Sequence, residues 1–128
     1  MSTVEKVIPL LIYRDIPAAH DFLVRVFGFV AGGVVRSPDG EPVHGEVRVG
    51  GTTIWLHRVT AEHELGVARM PSSGLVVLVE DVDAHYQHAL AAGAQTDGPP
   101  TDQAYGQREY GVRDLEGHRW WFGTALTA

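Results

Sequence analysis

The sequence repeats itself at a nearly constant spacing, and this repeat constrains the fold more than any other feature. Equivalent positions lie 65 or 66 residues apart: a helix cap at Asp15 and Asp81, a helix-ending glycine at Gly28 and Gly93, a turn glycine at Gly51 and Gly117, and a strand tryptophan at Trp55 and Trp121. Such spacing over a cap, a helix end, a turn and a final strand predicts two copies of one module.

Each copy is predicted to fold as βαβββ. In the first copy, apolar and β-branched runs predict strands at residues 7–13, 29–36, 43–49 and 52–57, with one helix between Asp15 and Gly28. In the second copy they predict a strand at 74–79, a helix from Asp81 to Gly93, a loop at 96–106 and a hairpin at 107–123. We expect one domain, with module one at 5–59, a linker at 60–73 and module two at 74–124.

Composition excludes several classes of function. The net charge is −6 and no basic cluster is present, which argues against a nucleic-acid partner. Cysteine is absent, so disulfides and thiolate metal sites are excluded. No apolar run approaches the ~20 residues that cross a membrane, and the N-terminus lacks the features of a signal peptide. We therefore expect a cytoplasmic protein without a membrane partner.

Four segments carry a family resemblance: LIYRDIPAAHDFLVRVFGF, HGEVRVGG, VEDVDAHYQHALAAGA and PTDQAYGQREYGVRDLEGHRW. With the doubled module, they make the chain similar to the vicinal oxygen chelate superfamily, which includes glyoxalase I, extradiol dioxygenases and bleomycin-resistance proteins. The resemblance implies an α+β fold in which two tandem βαβββ modules form a curved mixed-sheet cleft with the helices outside. It also implies a homodimer, often with sites at the subunit boundary.

The resemblance also locates the usual metal ligands, which here fall at Ile8, Trp55, Leu75 and Trp121. None of these side chains supplies the imidazole or carboxylate that divalent metals require. A shift of one residue in either direction leaves this conclusion unchanged. We therefore expect no metal and no cofactor at the usual site, and neither glyoxalase I nor dioxygenase chemistry there.

Strand alternation and the family register predict what lines the cleft. The predicted ligand-binding residues are Trp55, Trp121, Tyr105, His57, Glu46, Arg48, Glu109 and Gly111. An apolar wall is predicted from Ile8, Leu10, Ile12, Leu75, Val77 and Val79. Two aromatic rings can sandwich a planar ligand or hold a cation against a ring face. A filled core around Trp55 and Trp121 stays open as the alternative.

Polar residues on the same strands are the candidates for catalysis, namely His44, Glu46, His57 and Glu109. The pair His85 and His88 has a spacing that suits a metal, but we expect both to face solvent. Arg108 and Arg113 flank Glu109 and either charge the strand edge or grip an anionic group of a ligand.

Three functions follow from this pattern, in order of preference. The first is a bleomycin-resistance-type protein that sequesters a planar or cationic antibiotic or natural product without metal. The second is a metal-independent isomerase, cyclase or lyase of secondary metabolism. The third is a glyoxalase-like metalloenzyme with relocated ligands. The sequence leaves the ligand open, and also whether the modules pair within one chain or across a swapped dimer.

Overall fold

The computed structural model describes residues 2–3, 5–59 and 73–126, so most of the predicted linker lies outside the described residues. The helices are α1 (Ile16–Arg25) and α2 (Val82–Ala91). The strands are β1 (Leu10–Tyr13), β2 (Val30–Arg36), β3 (Pro42–Val49), β4 (Thr52–Arg58), β5 (Leu75–Leu78), β6 (Gln95–Thr96), β7 (Thr101–Gln103), β8 (Gln107–Arg113) and β9 (Arg119–Ala125). The predicted α+β fold of two βαβββ modules is confirmed, although β1 begins three residues later than predicted.

The chain divides into two compact units, each built on one mixed sheet. The first unit holds β1 to β4 in the order β1-β4-β3-β2, and the second holds β5 to β9 in the order β5-β9-β8-β6, with β7 also paired to β8. The segment Arg25–Gly28 belongs to the second unit. In each sheet the first strand of the module runs parallel to the last, and the other pairs are antiparallel.

The predicted loop at 96–106 is wrong in part, because two short strands form there. Thr96 pairs with Val112 at the end of β6, and Thr101 pairs with Glu109 at the start of β7. Between them lie Pro99 and Pro100, which have no N–H to donate and therefore interrupt the ladder. The edge strand of the second module is thus present but broken.

Both helices begin as predicted. The Asp15 side chain accepts a hydrogen bond from the Ala18 amide at 3.0 Å, and the Asp81 side chain accepts one from the Ala84 amide at 3.1 Å. These bonds satisfy N–H groups that have no partner within the first helical turn. Gly28 and Gly93 follow the two helices with φ of +82° and +90°, a conformation that favours glycine.

An aromatic cluster forms the core of the second unit. Trp120 and Phe122 are fully buried, and the Phe27 ring meets both edge-on, with centroids 5.4 and 4.9 Å apart. Tyr110 stacks on Phe122 at 5.7 Å. Edge-on and offset contacts are the arrangements that aromatic quadrupoles favour. This cluster fixes which side of β9 faces the core.

The expectation that His85 and His88 face solvent is wrong for His85. Its ring stacks on Phe122 with centroids 4.1 Å apart, while Nδ1 lies 2.6 Å from the Tyr110 hydroxyl and Nε2 lies 2.9 Å from the Phe27 carbonyl oxygen. Burial lowers the pKa of His85, and burial raises the pKa of Tyr110. We therefore assign a neutral ring that donates a hydrogen bond from Nε2 to the Phe27 carbonyl and accepts one at Nδ1 from the Tyr110 hydroxyl. His88 is exposed, and its Nε2 lies 3.1 Å from the Arg25 carbonyl oxygen.

Acidification should destabilise the protein through His85. The pKa of His85 in the folded state lies below its ordinary value of 6.5. The contribution of the neutral ring to the free energy of unfolding is therefore complete above pH 6.5, and it is lost as the pH falls through the folded-state pKa. The free energy of unfolding, measured with urea at pH 7 and pH 5, should fall less in His85→Gln than in wild type. His88→Gln removes a histidine from the same helix and should keep most of the wild-type pH dependence, because burial, rather than the His88 charge, is the main cause of the low His85 pKa. An unchanged pH dependence in His85→Gln would contradict this role.

Candidate functional site

The two tryptophans on β4 and β9 predicted to face the ligand lie on the sheet face opposite the core. Trp55 is 39% exposed, between buried Ile54 and Leu56. Trp121 is half-buried, between fully buried Trp120 and Phe122. We call this non-core face of each sheet its open face. The alternation predicted for both strands therefore matches the structure.

The predicted apolar wall is wrong by one residue in the second module. Leu75 pairs with buried Trp120, whereas Val76 pairs with Trp121 on the open face. The side chains of Val76 and Leu78 are exposed there at 59% and 66%, in place of the predicted Leu75 and Val77. In the first module Leu10 pairs with Trp55 and Ile12 with His57, so the predicted face is correct. The open face of each sheet is thus partly apolar, as predicted.

Two glycines create the seat of the Trp121 indole. A Cβ atom at Gly74 would overlap the six-membered ring, and a Cβ at Gly111 would lie 3.2 Å from the indole Nε1. Gly111 pairs directly with Trp121 on the neighbouring strand. The indole therefore extends across the sheet from β8 to the start of β5. The prediction that Gly111 leaves room beside Trp121 agrees with this geometry.

An ion pair that sequence reasoning missed holds one side of this seat. Arg119 donates to both carboxylate oxygens of Asp97, with Nη1 3.1 Å from Oδ1. The hydrogen bond from Arg119 holds the pKa of Asp97 below its usual range. The Arg119 guanidinium carbon lies 5.0 Å from the centroid of the Trp121 ring, a cation–π distance. A protein cation therefore already contacts this indole.

Glu109 is the carboxylate on the open face of the second sheet beside Trp121. It accepts a hydrogen bond from the Tyr105 hydroxyl and another from Gln107, whose Nε2 lies 2.8 Å from Oε2. Both donors are neutral, so neither cancels the negative charge. Val76, Tyr105, Gln107, Glu109 and Trp121 together line a cavity of about 520 Å³. Glu109, Gly111 and Trp121 also line a smaller cavity of about 240 Å³ together with Asp97.

The first unit brings four predicted residues together on its open face. His44 pairs with His57 and Glu46 pairs with Trp55 across β3 and β4. His44 Nε2 lies 3.8 Å from Glu46 Oε1, and the His44 ring meets the Trp55 ring edge-on at 5.3 Å. The 3.8 Å distance is too long for a hydrogen bond, and the pair is ionic only when His44 is protonated. This cluster has acid–base groups beside an aromatic surface.

The arginines of the two modules fall in different environments. Arg48 is exposed on β3, two residues after Glu46, and lies on the same face of the strand. Arg108 donates to both Asp83 and Asp102, and these bonds raise its pKa. Because the Arg108 guanidinium is hydrogen-bonded to both carboxylates, it links β8 to α2 through Asp83 and to β7 through Asp102. Arg113 is exposed at the end of β8.

Asp114 is a buried carboxylate that sequence reasoning did not single out. Its Oδ1 accepts from the Glu116 and His118 amides at 3.1 and 3.0 Å, and its Oδ2 accepts from the Trp120 indole N–H at 3.0 Å. One side chain thus closes the turn between β8 and β9 and fixes the Trp120 ring. It thereby sets the orientation of the neighbouring Trp121.

The usual metal positions of the resembled family carry no ligating side chain here. Val76, the neighbour of Leu75 that pairs with Trp121, is equally unable to bind a metal. Within residues 2–3, 5–59 and 73–126, no group of three or more His, Asp or Glu side chains is placed to hold a metal ion.

The comparisons with known proteins agree with this architecture. The family model of the Glyoxalase/Bleomycin resistance protein/Dioxygenase superfamily matches residues 6–122. The crystal structure of TioX from Micromonospora sp. ML1 is 36% identical, with a TM-score of 0.72 and coverage of 97% of this chain and 98% of that chain. An uncharacterized protein of Mycobacterium bovis is 36% identical over 121 residues, which is 90% of this chain and 80% of that protein.

A more distant structure supports the fold alone. A glyoxalase/bleomycin resistance protein/dioxygenase from Nocardioides is 20% identical, with a TM-score of 0.71 and coverage of 100% of this chain and 87% of that chain. Fold, module pattern and family match agree, and the chain belongs to the glyoxalase/bleomycin resistance protein/dioxygenase superfamily. In the part of the chain that the structure describes, neither helix has the length and hydropathy of a membrane span.

Removal of the Asp114 carboxylate should destabilise the second unit. Asp114→Ala leaves the buried indole N–H of Trp120 and two amides without their acceptor, which should cost about 3 kcal/mol of the free energy of unfolding. Leu115 lies in the same turn and is 55% exposed, so Leu115→Ala should cost less than about 0.5 kcal/mol. Urea denaturation followed by circular dichroism measures both. Equal losses in the two variants would contradict the assigned role.

A methyl group at Gly74 should dislodge the Trp121 indole. In a Trp55→Phe background, the tryptophan emission of Gly74→Ala should become more sensitive to acrylamide, because the displaced ring gains solvent contact. Trp120 stays fully buried and provides a constant background. Gly33→Ala is the matched control, since a Cβ there meets no atom within 4 Å. Unchanged quenching in Gly74→Ala would show that the glycine does not define the seat.

Proposed function

We propose that the protein binds a planar small molecule, of the antibiotic or natural-product type, on the open face of its second sheet and sequesters it without chemistry. The observation that carries the proposal is the seat of Trp121 on Gly74 and Gly111, beside Glu109 in the same cavity of about 520 Å³. A cavity of this size suits a drug-sized molecule. Stacking on the indole and burial against Val76 would supply most of the affinity.

Charge determines which group of the ligand goes where. The Arg119 guanidinium already occupies a cation–π position at the Trp121 ring, and its charge is paired with Asp97, so the ring does not need a cation from the ligand. Glu109 receives hydrogen bonds from two neutral donors, so neither donor neutralises its carboxylate. We therefore assign the planar part of the ligand to Trp121 and a cationic or strongly donating group to Glu109. Tyr105 is 71% exposed, which leaves its ring accessible to the ligand.

The remaining expectations from sequence belong to the same proposal. The sandwich of one ligand between Trp55 and Trp121 stays a prediction, as do the homodimer and the cytoplasmic location. Light scattering coupled to gel filtration measures the mass in solution, and about twice the chain mass of 13.9 kDa supports a homodimer. A mass equal to one chain would contradict it.

One observation favours an enzyme as the second candidate. His44 and Glu46 lie 3.8 Å apart beside Trp55, which places acid–base groups against an aromatic surface. A metal-independent isomerase, cyclase or lyase would use such groups on a stacked substrate. Mass spectrometry of a bound natural product after long incubation separates the two functions. A mass or retention-time change that His44→Gln abolishes would support the enzyme, and an unchanged molecule would support sequestration.

Matched acridines test the charge assignment. At neutral pH 9-aminoacridine is a planar cation, whereas acridine has nearly the same shape and is largely neutral. In calorimetric titrations, Glu109→Gln should weaken binding of 9-aminoacridine by about tenfold and change acridine little, because only the cation loses a counter-charge. Trp121→Leu should weaken both, because both stack on the indole.

Glu80→Gln is the control for this experiment, because it removes one exposed carboxylate from the same unit at the turn before α2. It should leave both affinities at the wild-type value. The proposal would be contradicted if both compounds bind and Trp121→Leu leaves both affinities unchanged. Equal effects of Glu109→Gln and Glu80→Gln would reduce the role of Glu109 to general charge.

A further inference from the structure

A third cavity, of about 480 Å³, lies at one edge of the first sheet and is lined by arginines from three different strand ends. Its lining residues are Arg14, Asp15, Ile16, Pro17, Arg36, Glu41, Pro42, Arg58 and Val59. None of these residues belongs to the proposed ligand site. The protein as a whole carries 16 acidic against 10 basic residues, so three arginines around one cavity run against the overall charge.

Sheet topology explains why the three arginines meet. Arg14 follows β1, and Arg58 ends β4, the parallel neighbour whose last residue pairs with Tyr13. Arg36 ends β2 and pairs with Pro42 at the start of β3, which is antiparallel to both β2 and β4. The ends of β1, β2 and β4 therefore meet at one edge of the sheet. Residues far apart in sequence bring their guanidinium groups to one cavity.

The start of α1 also reaches this cavity, but its N–H groups are largely used. The Asp15 side chain accepts from the Ala18 amide, the Asp15 carbonyl accepts from the Ala19 amide, and Pro17 has no N–H. The helix terminus therefore offers little to a ligand, and recognition falls to the arginine side chains.

A guanidinium group has five N–H donors, so one hydrogen bond within the protein leaves others for a ligand. Arg36 Nη1 donates to the Gly40 carbonyl at 2.9 Å, which uses one of five guanidinium N–H groups and fixes the position of the side chain. Two carboxylates, Asp15 and Glu41, also line the cavity, and Asp39 lies close enough to Arg58 for their charges to interact, so recognition of an anion rests on the guanidinium hydrogen bonds rather than on an excess of charge. Guanidinium groups match the paired oxygens of phosphates and carboxylates.

We propose that this cavity binds a small oxyanion, the phosphate or carboxylate group of a metabolite, through Arg14, Arg36 and Arg58. Glu41 opposes binding by like charge and sets an upper limit on affinity. The site is independent of the planar-ligand site, since it uses none of the same residues.

Calorimetric titration of the full chain with inorganic phosphate, at constant ionic strength balanced with sodium chloride, tests the proposal. Wild type should bind phosphate saturably, and Arg36→Gln and Arg58→Gln should each weaken binding by about tenfold or more. Glu41→Gln should strengthen binding, by roughly threefold or more, because it removes a like charge. A loss of affinity in an arginine variant could come from misfolding, whereas a gain of affinity in Glu41→Gln could not. The Glu41→Gln variant therefore separates a direct effect on binding from a loss of structure.

Lys6→Gln is the matched control, because it removes one exposed positive charge from the segment before β1, outside the cavity. It should bind phosphate as wild type does. Parallel titration with succinate identifies the source: tighter phosphate binding indicates a phosphate ester, and tighter succinate binding indicates a carboxylate. Absence of saturable binding to either anion would overturn the proposal. So would equal losses in Lys6→Gln and Arg58→Gln, since the effect would then be general electrostatics.

Discussion

Two adjacent tryptophans on β9 point in opposite directions, and the second unit depends on this opposition. Trp120 is fully buried and donates its indole N–H to Asp114, whereas Trp121 lies on the open face over Gly74 and Gly111. A shift of β9 by one residue would exchange the two rings and bury Trp121 in a core shaped for Trp120. The Asp114 turn and the Phe27 contacts hold the register. The ligand surface is therefore a consequence of core packing on the other side of the same strand.

Much of this fold could be predicted from sequence because its signals are local. Caps at Asp15 and Asp81, helix-ending glycines and strand alternation all act over a few residues. The prediction that Leu75 lies on the open face was wrong because it did not apply the 66-residue offset to this strand. The offset of 66 that aligns Trp55 with Trp121 also aligns Leu10 with Val76, and these two pairs share the same register in the structure. Consistent use of the offset would have placed Val76 on the open face.

The missed features depend on contacts between distant parts of the chain. Asp97 and Arg119 are 22 residues apart and meet only because Gly111 leaves space between them. His85 contacts the Phe27 carbonyl, 58 residues away, so its spacing from His88 carried no information about its surroundings. The broken edge strand depends on pairing with β8 rather than on its own propensity. Partners at such separation cannot be identified from one sequence without a topology.

The two modules share a frame but differ in chemistry, because their hairpins differ. A two-residue turn at Gly50 and Gly51 joins β3 to β4, whereas residues 114–118 join β8 to β9. The difference in turn length shifts β8 by one residue relative to β3, so the offset between these two strands is 65 rather than 66. Glu109 therefore occupies the position equivalent to His44, and Gly111 occupies the position equivalent to Glu46. The first module therefore places the acid–base groups His44 and Glu46 beside Trp55. The second module places one carboxylate, Glu109, beside Trp121, and Gly111 leaves space next to that indole.

The central claim is that the Trp121 indole is a ligand surface, and nuclear magnetic resonance of the indole N–H groups tests it most directly. The protein has three tryptophans, so three such signals can be assigned by substitution. On titration with 9-aminoacridine, the Trp121 signal should shift in a saturable way, while the Trp120 signal, held by Asp114, should stay in place. Saturable binding that leaves the Trp121 signal unmoved would contradict the account.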